Sequence, residues 1–107
     1  MTSNTYTLSN FRDIPASSKE EIFKIQFHSN DVLVREEDIR VRRTNLDKAM
    51  VLGRDEKFIT AIILKSGQQL YRVEDIVESI KDEYIYTKNG LKIPIVCIYS
   101  TDFYFKN

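Results

Sequence analysis

Cysteine and histidine occur once each, as Cys97 and His28, and tryptophan is absent. One cysteine excludes an intrachain disulfide framework and any multi-cysteine zinc site, and one histidine removes most of the remaining metal and triad chemistry. Three glycines and two prolines exclude collagen-like or low-complexity material. Neither sign of charge prevails: 16 Lys and Arg stand against 16 Asp and Glu. No global field therefore draws the chain toward nucleic acid, anionic lipid or an acidic substrate, and any attraction must be local. Long apolar runs are missing too, the longest being 61–64 and 93–98. The N-terminus shows no basic segment followed by an apolar one, so neither a secretory signal nor a membrane span is expected, and a cytoplasmic location is the default expectation. What is present suffices for one domain: 107 residues, 42% hydrophobic and 30% charged, with room for one core.

Residues 1–20 are rich in Ser, Thr and Asn, and their large apolar residues (Tyr6, Leu8, Phe11 and Ile14) are too sparse to bury a continuous face. A mobile arm is expected there, followed by a single domain over 21–107. Phe23, Ile25 and Phe27 alternate with Lys24 and Gln26, the period of a half-buried strand. Over 34–53 the spacing predicts a helix: Ile39, Leu46 and Met50, with Leu33 and Ala49, recur at three, four and seven, acids fill 36–38, and Gly53 stands at the C-terminal end. The pairs Glu36/Arg40 and Asp38/Arg42 have the i,i+4 spacing, acid first, that suits a solvated helix face.

After Gly53 the period returns to two. Strands are expected over 57–65, 70–80, 83–88, 91–93 and 98–105, with turns at 66–68 and 82–83. Asn89-Gly90 is the strongest hairpin signal, because both residues accept the positive φ of a type I′ turn. Pro94 cannot donate to a ladder, and 94–97 reads as a 3₁₀ corner. The expected fold is mostly β, a small five-stranded SH3-like barrel preceded by a strand and one α-helix, the helix capping an open end.

Residues 46–53 (LDKAMVLG), Val73-Glu74 and residues 88–95 (KNGLKIPI) together resemble a family of small uncharacterised bacterial proteins whose pattern runs LxKAMxLG … LKxGxxIPI. The resemblance covers about residues 36–103 and implies a helix plus a small barrel, with no activity attached. The predicted architecture is also similar to that of Sm-like proteins, although the uridine-holding loops of that family have no counterpart here residue by residue.

His28 beside Ser29 and Asp31 suggests a proton relay on paper, but a lone histidine at a strand end is the ordinary exposed turn residue. Glu74, Asp75, Glu78, Asp82 and Glu83 match no calcium-loop spacing and read as the solvated face of a sheet. Cys97, flanked by Val96 and Ile98, reads as a small buried hydrophobe. No catalytic set, metal site or cofactor is expected, and the chain is read as a non-enzymatic binding module acting through protein contacts or self-assembly. Phe23, Ile25 and Phe27 are the candidate self-association strand. Tyr71, Tyr84, Tyr86, Tyr99 and Tyr104 are the candidate partner-binding aromatics, since tyrosine combines apolar area with a polar tip. The alternative is an Sm-like RNA- or DNA-binding protein, with Arg40, Arg42 and Arg43 as its phosphate contacts, although acids share that segment and pair with much of its charge.

Overall fold

Ser18 and Glu21 set the first element. The serine Oγ accepts from the Glu21 N–H at 3.2 Å, and the glutamate Oε1 accepts from the Ser18 N–H at 2.9 Å. This reciprocal capping box starts a one-turn helix, α1 (Lys19–Phe23), anchored by buried Ile22. The computed structural model describes residues 13–27, 29–54 and 58–105. The strand expected over Phe23, Ile25 and Phe27 is therefore corrected: Phe23 ends α1 and is 61% exposed, while Ile25 and Phe27, past the helix, lean on the core. Local capping outweighed an alternation too short to find a partner strand.

The long helix, α2 (Glu36–Gly53), starts at Arg35 with no side-chain cap and carries Glu36, Glu37 and Asp38 in its first turn, where the helix dipole favours negative charge. Its buried stripe is Arg42, Leu46, Ala49 and Gly53. Gly53 is the last helical residue and does not have positive φ, so its use is close approach rather than a left-handed cap. A Cβ there would stand 2.8 Å from Ile76 Cγ2 and 3.3 Å from the Val77 carbonyl oxygen.

Six strands follow: β1 (Phe58–Ser66), β2 (Gln69–Asp75), β3 (Val77–Lys81), β4 (Tyr84–Thr87), β5 (Lys92–Pro94) and β6 (Ile98–Phe105), with a 3₁₀ turn at Ile95–Cys97 as expected of the corner. They form two antiparallel three-stranded sheets, ordered β2-β1-β6 and β3-β4-β5. The expected five-stranded closed barrel is replaced by this unclosed pair because the run 70–80 breaks at Ile76. Asp75 makes the break. Its carboxylate, on a residue only 4% exposed, accepts from the Ile76 N–H at 2.7 Å and from Asn89 Nδ2 at 3.1 Å. Asp75 is thus a structural acid of the bend rather than part of a solvated face.

The turns also exchange roles. Asp82 and Glu83 both take positive φ, 53° and 67°, between β3 and β4, whereas in the β4–β5 connection only Gly90 does, at 88°. Asn89 spends its side chain on Asp75, and Thr87 closes the loop by bonding Gly90 and Leu91. A three-residue loop ending in a left-handed glycine results in place of the expected type I′ turn.

β1 is buried on both faces from Thr60 to Leu64. Ile62 and Leu64 join Leu46, Ala49, Val73, Ile85, Ile93 and Ile98 in the main core under α2. Ile63 points the other way, onto Leu70, with Ile14 and Tyr99 packed against them. Of the expected arm, Ala16 and Ser17 lie beside β2: Ala16 bridges Arg72 in parallel, and the Ser17 N–H donates to the Arg72 carbonyl at 2.7 Å. Among the described residues no helix is long and apolar enough to cross a membrane.

On an unhindered helix, glycine to alanine gains about 1 kcal/mol. At Gly53 the methyl would overpack the bend, so Gly53→Ala is expected to cost about 1–2 kcal/mol net, read as a lower urea midpoint. A higher midpoint would show that α2 is not seated on the bend.

Candidate binding groove beside strand β6

Arg42 occupies a core-facing position, four residues before Leu46, where the helical stripe calls for an apolar side chain. Its side chain is 5% exposed. Nη2 meets Asp31 Oδ2 at 2.6 Å, and Nη1 donates to Asp31 Oδ1 at 2.8 Å and to the Ile98 carbonyl at 3.1 Å. The fork is bidentate, which fixes orientation as well as charge. It ties together α2, the segment before it and the first residue of β6. Asp31 Oδ1 also accepts from the Leu33 N–H at 2.9 Å, and the Val32 N–H donates to the Val96 carbonyl at 2.9 Å, so residues 31–35 are laid alongside the helix.

Between these parts runs an open groove of about 690 Å³. Val32, Leu33, Val34 and Arg35 form one wall, the α2 residues Asp38, Val41, Arg42 and Asn45 its floor, and Lys65 with Tyr99, Ser100 and Thr101 the other wall. The helix residues fall at i, i+3, i+4 and i+7, one face of the helix. Val34 is 92% and Val41 51% exposed, two apolar side chains bared at the same site. A bulge shapes the far wall: Ile63 pairs with Ser100 and Leu64 with Ile98, leaving Tyr99 as the extra residue on β6. The bulge turns Tyr99 toward Ile63, and the Lys65 ammonium sits 5.5 Å from its ring centroid. β6 pairs with β1 on one side, and no strand among the described residues covers its other side.

The sequence-derived candidates are dispersed. Arg42 is buried and ion-paired, so it is no phosphate contact. Its expected i,i+4 partner Asp38 instead lies 4.0 Å from Arg35. Arg43 pairs with Asp47 at 3.3 Å, while Arg40 is exposed. Among the tyrosines, Tyr71 packs on the core, and Tyr84, with Lys92 4.4 Å from its ring, lines a second depression of about 600 Å³ with Phe27 and Pro94. Tyr86 shares its strand face with Tyr84, opposite buried Ile85. Tyr104 is occupied: its hydroxyl bonds Glu74, itself 2.5 Å from Arg72, and burial together with Glu74 pushes its pKa up to about 12. Only Tyr99 enters the groove. His28 lies outside the described residues. Cys97 is fully buried. No group of three or more His, Cys, Asp or Glu side chains that could hold a metal occurs among the described residues.

Sequence reasoning missed Val34, Val41, Asn45 and Thr101, and weighed Asp31 only beside His28. Two signals were available: an arginine interrupting the apolar stripe between Ile39 and Leu46, and two valines seven residues apart on an otherwise charged face. The chain matches no family model, no curated protein and no solved structure.

The Arg42 guanidinium holds the Asp31 carboxyl below its ordinary 3.8, aided by the Leu33 N–H and opposed by partial burial. A lowered folded pKa means that this stabilisation is complete above the unfolded value and is lost as pH falls through and below it. Asp31→Asn should cost about 3 kcal/mol at neutral pH, since it strands a buried guanidinium. In urea melts the gap to the unsubstituted protein should stay constant from about pH 8 to pH 5 and narrow below about pH 4. A gap unchanged at about pH 3 would contradict the assignment.

Proposed function

We propose that the chain is a non-catalytic binding module that engages a protein partner along the uncovered side of β6. The observation carrying this reading is the coincidence, in one groove, of a sheet edge that no strand among the described residues covers and two exposed valines. Such edges pair readily with another chain, and exposed apolar residues at the same place supply the burial that pairing needs. On the fold, we read the two sheets as an opened small barrel of SH3-like type: the interrupted run β2–β3 links them at one end and the 3₁₀ turn between β5 and β6 at the other.

Catalysis is disfavoured because the titratable candidates stand on separate elements without convergence. Nucleic-acid binding is disfavoured by charge. With Arg42 neutralised by Asp31 and Arg43 engaged by Asp47, Arg40 is the one of the three candidate arginines without an ion pair among the described residues, too little for the phosphate neutralisation that drives such binding.

The test places a photo-reactive benzoylphenylalanine at Val34, at Tyr99 and, as a control, at Arg40, and irradiates each protein in cell extract. Adducts to protein are expected from positions 34 and 99 and not from position 40. RNA adducts, or protein adducts favouring position 40, would overturn the reading.

A further inference from the structure

Among the described residues, two buried side-chain polar atoms have no hydrogen-bond partner, Arg42 Nε and Thr101 Oγ1, and both residues line the groove beside β6. An unmatched buried donor is costly, so an occupant that satisfies it gains affinity and selectivity. The charge of that occupant follows from the surroundings. Asp31 already neutralises Arg42, and Glu37 and Asp38 face Arg35 at 3.3 Å and 4.0 Å. Lys65 is directed over Tyr99. Around the groove three bases meet three acids, so a phosphate or carboxylate would meet no net field and would be repelled at Asp31.

What fits is a neutral acceptor attached to an extended chain. We infer that the groove takes an extended peptide segment of a partner protein, which adds to β6 at Tyr99–Thr101, presents a backbone carbonyl to Arg42 Nε and Thr101 Oγ1, and lays alternate apolar side chains on Val34 and Val41. This rests on the reading of the chain as a protein-binding module and names its ligand. In β-strand addition the main chain supplies the bonds and every second side chain meets the same wall. The groove offers both: a side of β6 that no strand among the described residues covers, and the β-branched Val32 and Val34 of one wall with Val41 on the floor.

The test selects linear peptides from a phage-displayed library against the full chain and follows synthesised winners by NMR. Selected peptides are expected to shift the Arg42 Nε–H and the amides of residues 99–101, with Kd changing less than about threefold between low and high salt, since few counterions are released. Arg42→Lys keeps a positive charge for Asp31 but removes the Nε–H, and should weaken binding about tenfold. Thr101→Val and Val34→Asp should each weaken it several-fold, and Val34→Asp, at a position 92% exposed, reports even if Arg42→Lys fails to fold. Peptides that bind but shift residues elsewhere would overturn this inference and leave the module reading intact. A selection that retains no peptide would overturn both. An Arg42 Nε–H that responds to inorganic phosphate instead would replace the peptide with an anion. A concentration-dependent doubling of mass that broadens residues 99–101 would replace it with a second copy of the chain.

Discussion

The arrangement of the groove depends on one buried arginine. Arg42 is the charged member of the α2 stripe, and its fork binds Asp31 on one side and the Ile98 carbonyl on the other. Burying a guanidinium carries a large desolvation cost that only a paired, hydrogen-bonded geometry offsets. An apolar residue at this position would serve the core as well or better, so the pair is best understood through geometry: it sets where the segment 31–35 runs and where β6 begins. That single side chain bonds the segment leading to one wall and the strand that forms the other.

A second constraint shapes the sheets. At Ile76 the chain passes from one sheet to the other, and three residues make the passage feasible: Asp75 turns inward to hold the Ile76 N–H, Asn89 bonds the same carboxylate, and Gly53 lets the end of α2 come against the bend. The Lys88 N–H donating to the Ile76 carbonyl at 2.9 Å closes the corner. Separation into two sheets leaves strand edges, and these are treated differently. Residues 16 and 17 lie against β2, whereas β6 meets the groove.

Much of this was legible in the residues. The long helix, the strands flanking residues 66–68, the 3₁₀ corner after Pro94 and the last strand follow from period and turn chemistry, which are local. The failures were contests between local rules. At Phe23 to Phe27 an alternating pattern competed with the capping box of Ser18 and Glu21, and the cap prevailed because Ile22 had a core to enter while the alternating residues had no neighbouring strand. At Asn89 a turn propensity competed with a distant carboxylate, and the bond to Asp75 took the side chain. The site was less legible than the fold. A buried arginine and its partner eleven positions away on another segment cannot be told by spacing from a solvated i,i+4 pair, and the tyrosines chosen for composition prove to be divided among different faces.

The central claim is that Arg42 and Asp31 act as one unit that builds the groove. The most direct measurement is a double-mutant cycle in urea-unfolding free energy with Asp31→Asn, Arg42→Met and the combination. The account predicts that the double variant is less destabilised than the sum of the single variants by about 1.5 kcal/mol or more, because removing one partner strands the other. Additivity within about 0.5 kcal/mol would show that the two residues act independently and would contradict the account.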